Sequence, residues 1–125
     1  MQDYHQLEIW QRAMAYAVEI YKLTAQLPGE ERYNLTVQLR KAAASVPLNI
    51  AEGSGCASPA EFVHFLSYAY RSLKELITGL ELCQRLYLSL PAQPLTTLID
   101  EGNQICRMTH SFIQRLNKGT GGAPW

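Results

Sequence analysis

The sequence predicts an all-α, antiparallel up-and-down four-helix bundle with its second helix kinked at Pro47. Three observations carry that prediction. Apolar residues recur at helical spacing in four separate stretches, and no strand pattern longer than a few residues interrupts them. Proline and glycine stand between the stretches as breakers. The connections are short, which makes neighbouring helices antiparallel by default.

The first helix is expected from about Leu7 to Gln26, with an inner stripe of Trp10, Ala13, Met14, Ala17, Val18, Tyr21 and Thr24. Leu27-Pro28-Gly29 ends it. The second is expected from about Asn34 to Glu52, buried through Leu35, Leu39, Ala42, Ala43, Val46 and Ile50. Pro47 lies inside that stripe. It lacks a backbone donor and crowds the carbonyl of Ala43, at a cost of about 3 kcal/mol, so a kink is expected there. Asn49 and Glu52 follow as polar groups placed either to satisfy the disturbed backbone or to make a polar contact across a subunit interface. Gly53 is expected to cap the helix.

The third helix has the strongest start signal. Ser58 is a capping residue, Pro59 takes the first helical position, and Glu61 the third. The helix runs to about Tyr87 on Phe62, Leu66, Ala69, Leu73, Leu76, Leu80 and Cys83. Pro91 and Pro94 bracket the next turn. The fourth helix runs from about Leu95 to Asn117 through Leu98, Gly102, Ile105, Thr109, Phe112 and Leu116. Residues 1–117 thus form one domain, followed by a glycine-rich tail over 118–125 that is expected to be mobile.

Charged residues make up 18% of the 125-residue chain, against roughly 25% in an average soluble domain, and apolar residues 47%. That balance leaves more apolar surface than one small core hides, and homo-oligomerisation is the first explanation. A second apolar set supports it: Val37, Ala44, Leu48 and Ala51 on the second helix, and Val63, Tyr70 and Ile77 on the third. Val37, Ala44, Leu48, Val63, Tyr70 and Ile77 are therefore the candidate oligomer interface.

Net charge is zero and the pI is near 6.8, which argues against strong non-specific nucleic-acid binding by the chain as a whole. A local basic stripe is still present. Arg40 and Lys41, Arg71 and Lys74, and Arg107 and Arg115 are the candidate nucleic-acid contacts. The alternative is a solvated helix face partly neutralised by Glu75, Glu81, Asp100 and Glu101.

Signals for chemistry are weak. Cys56, Cys83 and Cys106 are odd in number and widely spaced, which implies neither disulfides nor a zinc site and fits a reducing cytoplasm. Glu8 and Arg12 interrupt any secretory leader, and no apolar run is long enough to cross a membrane. Glu61-x-x-His64 has di-metal spacing but occurs once, and His110 has Arg107 where a second glutamate would stand. Ser45 and Cys56 are nucleophiles by type only, and Gly53-Ser54-Gly55 lacks the lysine of a phosphate loop. No catalytic residue, metal or cofactor is expected.

One segment is specific beyond generic helix. Gln38-Leu39-Arg40-Lys41-Ala42-Ala43 continues through Ser45-Val46-Pro47 to Asn49-Ile50-Ala51-Glu52-Gly53. Together with Leu7-Glu8-Ile9-Trp10-Gln11, Glu30-Glu31-Arg32-Tyr33 and Glu61-Phe62-Val63-His64-Phe65-Leu66, it resembles the bacterial four-helix bundle family first found in intervening sequences of 23S rRNA genes. The resemblance implies antiparallel bundles that assemble into ring-shaped homopentamers, with no enzymatic activity. It also implies kinship with accessory variability proteins of diversity-generating retroelements, which bind a reverse transcriptase and its RNA. The expected function is a non-enzymatic, cytoplasmic, homo-oligomeric scaffold contacting RNA or a ribonucleoprotein. The alternative, which the neutral charge suits, is a protein-only adaptor such as a reverse-transcriptase accessory protein.

Overall fold

The computed structural model describes residues 3–118, and the tail expected to be mobile lies outside them apart from Lys118. Four helices account for nearly all of the chain: α1 (Glu8–Thr24), α2 (Leu35–Ser54), α3 (Pro59–Leu86) and α4 (Ala92–Lys118). Short 3₁₀ turns at Tyr4–Gln6 and Gly29–Glu31 precede α1 and α2. Packing runs around a closed square: α1 on α2, α2 on α3, α3 on α4, and α4 back on α1. Side-chain contacts give the direction of each pair. On the α2–α3 seam Leu39 meets Gly79, Ser45 meets Ser72, and Gly53 meets Phe62 and Phe65, so one index rises as the other falls. Arg12 against Gln104 and Met108, and Tyr16 against Gly102, show the same for α1 and α4. The bundle is antiparallel throughout, as expected.

The core is a continuous column of Leu39, Val46, Ile50, Phe62, Leu66, Leu73, Leu76, Leu80 and Ile105, all under 2% exposed. Every residue of the expected α3 stripe is buried. Cys83 and Cys106 are buried free thiols, as expected. Fully burying an aliphatic side chain of this size contributes about 1.5–3 kcal/mol, so this column dominates stability.

Helix ends differ from expectation in three places. The backbone is helical through Pro47 and Gly53 to Ser54, and Gly55 occupies the cap position. Gly53 has a different task. A Cβ there would lie 2.8 Å from Phe62 Cδ1 and 2.9 Å from Phe65 Cβ, so glycine is required by the close approach of α3. Asn34 stands before α2 but its side chain does not cap it; Glu31 accepts from the Leu35 amide instead, at 3.3 Å. The fourth helix begins at Ala92, and Pro94 falls in its first turn, where a missing donor is harmless. The Ser58 cap is as expected. Its hydroxyl accepts from the Glu61 amide at 3.2 Å and lies 3.3 Å from the Glu61 carboxylate.

Two polar groups inside the bundle stand out. The Tyr16 hydroxyl is buried against Gly102 with no hydrogen-bond partner among the described residues. Burial holds its phenol well above the usual range. Glu31, by contrast, is a hub: it accepts from the Leu35 amide, the Asn34 amide group and the Tyr87 hydroxyl. Tyr87 is the residue that ends α3, so this carboxylate joins the start of α2 to the end of α3.

The Tyr87 hydroxyl, ahead of the Leu35 and Asn34 donors, holds the Glu31 carboxylate below its ordinary 4.5, while Glu31 pushes the Tyr87 phenol up to about 12. The unfolded chain therefore takes up the Glu31 proton first as pH falls. The link is complete above pH 4.5 and is lost as pH drops through the folded-state value; it is lost again as pH rises from about 10 through 12. Tyr87→Phe is expected to lower the melting temperature at neutral pH and to shallow the loss of stability below pH 4.5, as thermal unfolding across a pH series measures. An unchanged acid limb would show that Glu31 is held by its other donors.

Candidate functional site

An apolar groove of roughly 670 Å³ lies between α1 and α2. Trp10, Met14, Ala17, Val18 and Tyr21 form one wall, and Ala44, Pro47, Leu48 and Ala51 the other. This corrects the expected inner stripe of α1. Ala13 and Thr24 of that stripe are buried, but the rest of the buried line is Ile9, Tyr16, Ile20 and Leu23, one position round the helix. Met14, Val18 and Tyr21 are exposed, and Trp10 and Ala17 are only partly buried. Both lines have helical spacing, and Tyr16 reaches the space over Gly102 that admits only the first.

The expected second face of α2 lies outside the chain's own core. Leu48 is 67% exposed, and with Ala44 it borders the groove; Val37 is also exposed. The second face of α3 is not free in the same way. Ile77 is 7% exposed and packs against Gly102, so it belongs to the chain's own core and is removed from the candidate interface. Val63 and Tyr70 are half-buried against that core.

A second apolar surface lies at the end of the bundle where α1, α2, α3 and α4 are joined by the 25–34 and 87–91 connections. Tyr33 and Leu88 are 86% and 88% exposed, with Leu86 beside them on the last turn of α3. Nothing in the helical periodicity marks these residues, because they sit in or next to turns. Their size and apolarity within turn sequences were the available signal.

The expected Pro47 cluster divides. Asn49 donates to the Ser45 carbonyl at 2.8 Å and reaches its hydroxyl at 2.9 Å; that hydroxyl also bonds Ser72 at 2.8 Å. Asn49 therefore acts on the Ser45 carbonyl, rather than on that of Ala43, and joins a ladder from α2 to α3. The Glu52 side chain is exposed and joins no hydrogen bond among the described residues.

The basic residues separate into different environments. Arg40 donates to Thr24 Oγ1 at 2.8 Å and to the Tyr21 carbonyl at 3.2 Å, with its guanidinium 4.8 Å from the Tyr21 ring. It is a tie at the C-terminus of α1, where a cation also complements the helix dipole, and it is withdrawn as a nucleic-acid contact. Lys41 is exposed on the same side. Arg71 lies over Tyr68, and Arg115 over Phe112 in a groove between α1 and α4 that also holds Glu8 and Arg107. Lys74 and Arg107 do converge. They border a cleft of roughly 360 Å³ between α3 and α4, floored by Cys106 and lined by Tyr70, Asn103, His110 and Ser111. Burial pushes the Cys106 thiol up, while Lys74 and Arg107 pull it down.

The chemical candidates have structural partners. Glu61 is occupied at the Ser58 cap, and His64 Nε2 pairs with the Tyr68 hydroxyl at 2.8 Å. Ser45 is held in its ladder. Burial, then the Glu61 and Glu52 charges, push the Cys56 thiol up, away from a reactive thiolate. Among the described residues no three His, Cys, Asp or Glu side chains are grouped to hold a metal, and no helix is long and apolar enough to cross a membrane.

Residues 5–111 match the model of the 23S rRNA-intervening sequence protein family. The chain belongs to that family. Among solved structures it is similar to a protein of unknown function from the S23 ribosomal protein family of Bacteroides thetaiotaomicron VPI-5482. The two are 21% identical, with a TM-score of 0.74 over 84% of this chain and 97% of that one. That likeness shows the shared helical fold. No curated protein matches the chain.

Removal of the α1 tie should be felt in stability rather than in binding. Arg40→Ala deletes two hydrogen bonds and a ring contact from a half-buried position and is expected to cost about 1–2 kcal/mol in urea unfolding. An unchanged midpoint would return Arg40 to the free cations.

Proposed function

We propose that this chain is a non-enzymatic binding module that assembles with copies of itself and presents its α3–α4 face to RNA. The observation that carries the assembly is the presence of two unlike apolar surfaces on one small chain. One is the concave α1–α2 groove; the other is the end of the bundle that exposes Tyr33, Leu86 and Leu88. Apolar patches of this kind mark protein interfaces. Two different patches that meet each other make a heterologous contact, which closes into a ring when the rotation permits. A homopentameric ring, the assembly that the family resemblance implies, is of this type.

Leu48→Asp spoils the groove and Leu88→Asp the exposed apolar end. Each variant alone is expected to be monomeric by light scattering, with helicity retained. Mixed together, they keep one intact pair of surfaces and are expected to form a heterodimer and stop there. A self-complementary interface would leave the mixture monomeric, and an oligomer unaffected by both changes would remove the reading.

RNA contact rests on family membership and on the convergence of Lys74 and Arg107. A ring repeats a weak cationic face several times, and avidity then offsets the neutral charge of each chain. Binding through phosphates weakens steeply with salt. Charge reversal at Lys74 and Arg107 is expected to abolish the shift of structured RNA in low salt, whereas reversal at exposed Glu19 is not. No shift by the intact oligomer would favour the alternative, a protein-only adaptor such as a reverse-transcriptase accessory protein.

A further inference from the structure

The α3–α4 cleft contains more than a phosphate stripe requires. Along with Lys74 and Arg107 it holds two aromatic rings, a carboxamide and a hydroxyl. The Tyr70 and His110 rings lie 6.2 Å apart and tilted by 46°, forming an open aromatic corner. Lys74 Nζ lies over the Tyr70 ring, 5.3 Å from its centroid. Asn103 and Ser111 complete the lining, and neither side chain makes a hydrogen bond to another described residue. No carboxylate lines the cleft, and neither Lys74 nor Arg107 has an ion-pair partner among the described residues. That contrasts with Arg12, which is paired with Glu101 at 2.6 Å on the neighbouring seam. A volume of roughly 360 Å³ is within the range of small-ligand sites.

Two unpaired cations recognise a phosphate dianion or diester. An open aromatic corner recognises a flat ring by stacking, and a free carboxamide can pair with the donor and acceptor edge of a base. A compact ligand that satisfies all three is a nucleotide. We propose that the α3–α4 cleft is a single-nucleotide pocket, with the phosphate between Lys74 and Arg107 and the base in the Tyr70–His110 corner, edged by Asn103. This deepens the RNA reading above and rests on it for the case of a nucleotide within a strand; a free nucleoside monophosphate offers the same chemistry.

The full chain, isotopically labelled, is titrated at low salt with adenosine 5′-monophosphate, uridine 5′-monophosphate, inorganic phosphate and a short single-stranded oligoribonucleotide. Amide and side-chain resonances of Tyr70, Asn103 and His110 report the site. The expected result is a saturable shift of these resonances by at least one nucleotide or by the oligonucleotide, with phosphate alone weaker. Tyr70→Ala is expected to weaken nucleotide or strand binding about tenfold. Because Tyr70 packs partly on the core, Tyr70→Leu serves as the variant that keeps the packing and loses the stacking face, and Arg107→Glu as the one that removes the phosphate contact. Binding of the oligonucleotide alone, sensitive to these variants, supports a pocket that takes its nucleotide from a strand. Phosphate binding as tightly as the nucleotides would overturn the base half and with it the pocket. Oligonucleotide binding unaffected by Tyr70→Leu or Tyr70→Ala would overturn the pocket while leaving the RNA reading standing. Silence from nucleotides and oligonucleotide alike would overturn both.

Discussion

The close seam between α2 and α3 is the constraint on which the rest of the bundle depends. At Gly53 there is no room for a methyl group beneath Phe62 and Phe65. Further along, Ser45 and Ser72 meet through their hydroxyls, and Gly79 receives Leu39. Small residues at these crossings let two helices of 20 and 28 residues lie close along most of their length. That approach sets the register, and the register sets which side of α2 is left over. Ala44, Leu48 and Ala51 occupy the remaining side, and α1 covers them only in part. The groove is therefore a by-product of how tightly α2 is drawn onto α3.

Helix count, order and direction were legible because the main apolar stripe of α3 is long and regular and Ser58 supplies strong capping chemistry. Periodicity and local signals agree there, and the whole stripe is buried. They disagree on α1. Its two apolar lines are adjacent, and period alone has no means of ranking them. The ranking is made by a partner distant in sequence, the bare Cα of Gly102 over which Tyr16 lies. Gly53 illustrates the same limit. A glycine near a helix end reads as a cap, whereas here the neighbouring helix demands it. Among the basic residues, spacing groups Arg40 with Lys41, yet Arg40 is held at the end of α1 by groups that precede it by up to 19 residues. Lys74 and Arg107, far apart in sequence, are brought to one cleft by the antiparallel packing of α3 and α4.

The zero net charge conceals a partition. Charge on the α1–α4 seam is internally paired through Arg12 and Glu101, the α1–α2 groove is almost wholly apolar, and the α3–α4 cleft is cationic. A composition average cannot register this, because the acidic residues that offset the cleft's cations lie elsewhere on the chain. Membership of the 23S rRNA-intervening sequence protein family and the shared fold of the Bacteroides thetaiotaomicron protein describe the scaffold. The distribution of apolar and cationic surface over that scaffold is what distinguishes one side of it from another.

The Glu31 hub has a consequence for the end of the bundle where it sits. One carboxylate there gathers a backbone amide, a carboxamide and a phenol from both sides of the α2–α3 pair. The turns carrying Tyr33 and Leu88 are thereby anchored to helix ends that are already ordered. Exposed apolar side chains on slack loops lose entropy when they dock, and that loss offsets much of the gain from burial. Here the backbone beneath them has lost most of that freedom on folding. That end of the bundle is preorganised, so a modest apolar area can count for more in association than the same residues would on a free loop.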